Sequence, residues 1–175
     1  MAAELALFDV EVGGILRPTV HCYSLVVLKT IMDVYPDDHL EVYKYLYYMC
    51  SHNPKKNPFF DAPEQERESI ILDNIDCANW SAEDDEVQAG LALCRLLFTT
   101  PTSDAYLGIK TMLENVTYYM RTTQIKDGRD GNLTALVNAA KNFDALRQSF
   151  KGTYKDLLTE QTSTTRGGIK KAYDQ

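Results

Sequence analysis

Over the last third of the chain, apolar residues return at steps of three and four: Leu133, Leu136, Val137, Ala140, Phe143, Leu146, Phe150, Tyr154 and Leu157. That period marks one face of an α-helix, because a strand would alternate every second residue. The run covers about 25 residues, long beside the ~10–14 of an average globular helix. Such a helix needs cover along one side, and the remaining segments have to provide it.

They carry the same period. Leu40, Tyr43, Leu46, Tyr47 and Cys50 follow the pair Asp37-Asp38 at helical spacing. Val87, Leu91, Cys94, Leu97 and Phe98 form a second stripe, and Tyr106, Ile109, Met112, Leu113, Val116, Tyr119 and Met120 a third, expected to be a buried face. Three helix starts are marked in sequence. Asp61-Ala62-Pro63-Glu64 offers a capping aspartate, an early proline and a glutamate three residues on. Ser81 precedes four acids, Glu83 to Glu86, which suit the positive end of a helix dipole. Thr100-Pro101-Thr102-Ser103-Asp104 breaks the chain and begins another helix. Val20 to Tyr35 predicts a short helix ended by Pro36. Asn53-Pro54-Lys55-Lys56-Asn57-Pro58 reads as a loop, and Asp127 to Asn132 as a turn.

The two ends differ from this pattern. Leu7 to Val12 alternates apolar and acidic residues before Gly13-Gly14, which predicts a short strand and turn, either a small hairpin or an arm that pairs with a neighbour. At the other end, Thr162-Ser163-Thr164-Thr165 and Gly167-Gly168 argue against a helix, while Ile169 and Tyr173 offer apolar anchors among Arg166, Lys170 and Lys171. That end is either a free tail or an arm ordered on a partner. The expected fold is therefore all-α: a single bundle of five or six helices over residues 20–158, a short β-hairpin or arm over 1–19, and an extended arm over 159–175. Short loops favour antiparallel neighbours.

Composition narrows the function. The chain has 175 residues, enough for one ordinary domain with a hydrophobic core. Its net charge of −7 disfavours general binding to nucleic acid, leaving the basic C-terminal arm as the one place for phosphate contacts. No stretch approaches the ~20 apolar residues of a membrane span, and no signal-peptide pattern opens the chain. Cys22, Cys50, Cys77 and Cys94 form no C-x-x-C pair and read as small buried side chains in a reducing compartment.

No catalytic or ligand-binding motif stands out. His21, His39 and His52 lack the i, i+4 spacing of a zinc helix, and neither a nucleophile elbow nor a phosphate-cradling loop is present. Asp127-Gly128-Arg129-Asp130-Gly131 fails as a calcium loop at its third and fifth positions. Neither cofactor nor metal is expected. The unusual feature is Tyr43-Lys44-Tyr45-Leu46-Tyr47-Tyr48. Neighbours in a helix point different ways, so Tyr43, Tyr45, Tyr47 and Tyr48 are expected to reach two surfaces, as a two-sided core helix or as a core helix with a protein interface.

That tyrosine run, with Met49-Cys50, then Asn53-Pro54, Asn57-Pro58 and Pro63-Glu64-Gln65-Glu66-Arg67-Glu68, resembles small virion proteins of tailed bacteriophages of Bacteroidetes, including the crAss-like group. The Thr100-Pro101-Thr102-Ser103 helix start and Arg166-Gly167-Gly168 are similar too. The resemblance covers most of the chain from residue 40 onward. It implies a non-enzymatic virion component, made in the host cytoplasm and placed at the head–tail connection. Its partners would be copies of itself in a ring and portal, neck or tail subunits, reached through helix contacts and terminal arms. Tyr43, Tyr45, Tyr47, Tyr48, Arg166, Ile169, Lys170, Lys171 and Tyr173 are the expected interface residues. The other reading is a small regulatory or host-takeover protein that binds one soluble partner, absent from purified particles. An enzyme would need converging acids and histidines that the spacing does not suggest.

Overall fold

All six prolines fall at the ends of elements or between them, where a missing N–H and a fixed φ do no harm. A computed structural model describes residues 7–11, 15–126 and 131–166. Among them the order is β1 (Phe8–Val10), β2 (Leu16–Pro18), α1 (Val20–Ser24), α2 (Val26–Val34), α3 (His39–Cys50), α4 (Glu64–Leu72), α5 (Asp85–Phe98), α6 (Pro101–Thr122) and α7 (Leu133–Arg166). The protein is mostly helical with one small antiparallel hairpin. By its contacts it divides after Thr99 into two compact units, the second being Thr100–Arg166.

In the first unit, β1 and β2 pair Phe8 with Pro18, Asp9 with Arg17 and Val10 with Leu16. Phe8, Val10 and Leu16 point inward and are buried, while Asp9 and Arg17 face water. A two-stranded hairpin is marginal alone. Here it rests on α3, with the Phe8 ring 5.6 Å from Tyr43, 6.2 Å from Tyr47 and 6.4 Å from Phe98. The stretch Val20–Tyr35 holds the expected short helix before Pro36 as α2, and a shorter α1 precedes it, because Leu25 takes an extended conformation between them. This break leaves Cys22 and Leu28 both buried.

Helix α5 crosses α2 and α3 at Gly90. A Cβ there would lie 2.7 Å from Ile31 Cδ1 and 3.0 Å from Leu46 Cδ1, so the three helices meet closely at this glycine and a methyl group would require those side chains to shift. The loop after α3 is held from inside. Asn57, only 1% exposed, donates from its amide to the carbonyls of Tyr48 at 2.9 Å and Ser51 at 2.7 Å, and its Oδ1 accepts from the Phe59 N–H at 3.0 Å. The loop was expected from its two prolines, but not that its asparagine would be a core residue.

Two helix starts differ from expectation. Pro63, not Asp61, precedes α4, and no side chain caps it. Helix α5 begins at Asp85, three residues beyond the expected Ser81 region. Ser81 to Asp84 instead form a turn: Asp84 Oδ2 accepts from Ser81 N–H at 2.9 Å and Ser81 Oγ accepts from Glu83 N–H at 3.2 Å. Local side-chain bonding of Ser and Asp competed with the helix and won.

The second unit is a helical hairpin. Thr100 and Ser103 make a reciprocal capping box at the start of α6, with Pro101 at its first position. The reversal before α7 is tied by Asn132, whose amide donates to Gln124 O at 2.8 Å and whose Oδ1 accepts from Lys126 N–H at 2.8 Å. Residues 127–130 of the expected turn lie outside the described residues. The helices run antiparallel, since Thr100 Oγ1 donates to Glu160 Oε2 at 3.1 Å. Tyr106 stacks near Phe150 and Tyr154 at 5.3 and 5.8 Å.

At 34 residues, α7 is ~51 Å long. It passes through Thr162 to Thr165, so the arm expected to begin at 159 is helical through Arg166, and residues 167–175 lie outside the described residues. Threonines and a serine lower helix propensity by only a few tenths of a kcal/mol each, and a long helix with a packed face carries them. Gly108 and Gly152 sit inside α6 and α7 with open space where a Cβ would be. Gly108→Ala and Gly152→Ala should therefore each stabilise the hairpin by ~0.5–1 kcal/mol. A higher midpoint in thermal unfolding would show it, and a lower one would mean that something packs against those positions.

Candidate interaction surfaces

The tyrosines of α3 were expected to divide between two surfaces. All four are buried, as in a core helix covered on more than one side: Tyr43 and Tyr45 at 0% exposure, Tyr47 at 4% and Tyr48 at 7%. The reason is that α3 is the central helix of the first unit, packed by α2, α4, α5 and the hairpin. A helix covered all round can bury consecutive side chains. Each ring has a distinct neighbour. Tyr43 Oη donates to Leu28 O at 2.7 Å, and Tyr45 Oη donates to Glu68 Oε1 at 2.6 Å with its ring 5.5 Å from Trp80. Tyr47 lies 6.0 Å from Phe98, and Tyr48 lies 5.2 Å from Phe59. Burial pushes the Tyr43 and Tyr45 hydroxyls well above the usual phenol range. They are neutral packing groups and form no outer patch on this chain.

Arg166 is the last residue of α7, while Ile169, Lys170, Lys171 and Tyr173 lie outside the described residues. Cys22, Cys50 and Cys94 are buried, Cys77 is half-buried, and all four are free. Burial pushes Cys22 up to about 11 and Cys50 up to about 12, so these thiols stay protonated near neutral pH and are poor nucleophiles. No cluster of three or more metal-ligating side chains occurs among the described residues. No helix among them is long and apolar enough to cross a membrane.

Exposed large apolar side chains occur on both units, with Val20, Val26 and Leu96 among those of the first and Met112, Tyr118 and Ile125 among those of the second. Among the described residues of the second unit, Ser103, Tyr106 and Leu157 are the buried ones. The expected buried face of α6 is buried at Tyr106 alone. Ile109, Leu113, Val116 and Met120 are half-buried, Met112 is 57% exposed, and Tyr119 is exposed as well. Tyr118 is 71% exposed, and Leu133 and Val137 open α7 on its solvent side. Two helices can cover each other along one stripe only, so an apolar surface wider than that stripe stays wet.

A second surface is the corner where α2 hands over to α3. Tyr35 Oη donates to Asp84 Oδ2 at 2.8 Å, and Asn79 Nδ2 donates to Asp38 Oδ2 at 3.0 Å. These bonds bring Asp33, Asp37 and Asp38 to the same corner as Glu83, Asp84 and Asp85. Burial, reinforced by Asp84, pushes the Tyr35 hydroxyl up to about 12. The Ser81 N–H and then the Tyr35 hydroxyl hold the Asp84 carboxyl below its ordinary value. Sequence reasoning took the acids as helix-dipole partners and did not see that a tyrosine 49 positions away gathers them.

No protein family, curated protein or solved structure matches the chain.

Proposed function

We propose that this protein is a non-enzymatic structural subunit of a tailed-phage virion, a head–tail connector component that assembles by helix contacts and by its terminal segments. The observation that carries the reading is the Thr100–Arg166 hairpin. Its two long helices leave Met112, Tyr118, Leu133 and Val137 exposed, while among the described residues they bury Ser103, Tyr106 and Leu157. Exposed large apolar side chains gathered on an extended element mark a surface for another protein. The virion assignment rests on the resemblance of the Tyr-rich, Asn/Pro and Pro-Glu-x-Glu-Arg segments to phage virion proteins. Copies of itself in a ring and portal, neck or tail subunits are the proposed partners, and the virion is the proposed location.

Purified particles of a phage that carries the gene should contain the chain at a fixed ratio to the other neck proteins by mass spectrometry. Its absence would favour the regulatory reading, in which one soluble partner covers the hairpin. Deleting residues 167–175 should leave the circular dichroism spectrum unchanged and lower incorporation into particles. Truncation at 160 would be a poor test, because it removes part of α7 and the Glu160 partner of Thr100. Full incorporation of the 167–175 deletion would remove the C-terminal segment from the proposal.

A further inference from the structure

Charge divides unevenly between the two units. Up to Thr99 there are seventeen acids against seven bases, whereas Thr100–Arg166 carries seven acids against nine bases. On α7 the bases are ordered. Arg147, Lys151 and Lys155 follow one another at i, i+4 and i+8, so they form one row on the helix surface. All three are exposed, and among the described residues no acid pairs with them. The same side of the helix, followed toward its N-terminus, presents Leu133 and Val137, both exposed, with Asp144 as the one acid along the way. This side is therefore an unpartnered helix face, apolar at one end and basic at the other.

The first unit holds its complement. Asp33, Asp37, Glu83 and Asp85 are exposed at the α2–α3 corner, and no cation among the described residues pairs with them. Val34 and Leu40 at the same corner are exposed apolar side chains. We propose that the α7 face of Leu133, Val137, Arg147, Lys151 and Lys155 docks on the acidic α2–α3 corner of a second copy of this chain. The proposal rests on the reading of the protein as an assembling subunit and names the contact. Different surfaces meet in it, so it is heterologous, the kind of contact that builds rings or filaments. From Leu133 to Lys155 the face runs ~33 Å, long enough for a patch of the ~800 Å² per partner found in stable complexes. Nucleic acid suits the face less well. A phosphate-tracking surface has no use for Leu133 and Val137, and two surplus bases over the whole unit give a weak field.

Two charge-reversed full-length proteins test it. One carries Arg147→Glu, Lys151→Glu and Lys155→Glu; the other carries Asp33→Lys, Asp37→Lys and Glu83→Lys. All six positions are exposed and none forms an ion pair among the described residues, and circular dichroism confirms that each variant folds. Light scattering over a range of concentrations should show that the natural chain associates and that salt weakens the association. Each variant alone should associate about tenfold or more weakly, since like charges now face each other. An equimolar mixture should recover association, because each variant supplies the face the other lacks. Association that neither reversal changes, or folded variants that do not recover on mixing, would overturn the contact. A monomeric natural chain at every concentration would overturn it as well. So would binding of a double-stranded DNA oligonucleotide, lost on reversal of the α7 row, in a chain that does not self-associate. None of these results bears on whether the chain is found in virions, so the virion reading stands or falls separately.

Discussion

Tyr47→Ala is expected to lower the stability of the first unit by ~3–5 kcal/mol, the cost of deleting a large aromatic from a packed core. The residue is 4% exposed and its ring lies 6.2 Å from Phe8, 5.8 Å from Tyr48 and 6.0 Å from Phe98. Removing it takes the support from under the N-terminal hairpin and the end of α5 together, since Phe8 belongs to one and Phe98 to the other. A domain of ordinary stability has ~5–15 kcal/mol in all, so the loss is a large share. Chemical denaturation followed by the fluorescence of Trp80, the chain's single tryptophan, reads the same unit. Tyr47→Phe keeps the ring and should cost under ~1.5 kcal/mol. If Tyr47 instead faced a partner protein, alanine would leave the midpoint nearly unchanged and weaken assembly. That result would return the α3 tyrosines to the list of interface residues.

The tyrosine run shows why some of this protein was legible in its sequence and some was not. Periodicity located α3, α6 and α7, because the packing of one helical face is a local property that spacing records. Thr100, Pro101 and Ser103 announced the start of α6 for the same reason: a capping box is made within four residues. What spacing does not record is how many sides of a helix are covered. Consecutive tyrosines looked like surplus area for an interface, whereas α3 is enclosed by three helices and a hairpin. The reverse error occurred on α6, where Met112 and Tyr119 fit the stripe yet are exposed beside α7. Long-range pairings were also silent. Neither the Tyr35–Asp84 bond nor the Thr100–Glu160 bond leaves a trace in local sequence, and both decide where charged groups gather. The row Arg147, Lys151, Lys155 was readable at helical spacing, but its meaning depends on α7 leaving that side open.

Asn57→Asp should cost ~3 kcal/mol or more at neutral pH, although it exchanges one atom for another of nearly equal size. The Asn57 amide donates to two carbonyls at the end of α3, Tyr48 O and Ser51 O. A carboxylate cannot donate. It would remove the amide donor from both carbonyls, at ~1–3 kcal/mol each, and bury a negative charge against them. The acceptor role toward Phe59 N–H would survive, so the loss is specific to the donor side. The sign of the pH dependence follows. Burial and the two carbonyl oxygens favour the protonated carboxyl, which raises its folded-state pKa above the ~3.9 of an unfolded aspartate. The penalty is then complete above the raised value and shrinks as pH falls through it, because the protonated group can donate to one of the carbonyls again. Asn57→Ala removes the same donor without adding a charge, and its cost relative to the natural chain should stay flat over that range. Denaturant midpoints of the three proteins at neutral pH and near pH ~4 separate the cases. An Asn57→Asp protein as stable as the natural chain at neutral pH would place the amide in solvent. The loop between α3 and α4 would then be held by its prolines and backbone turns alone.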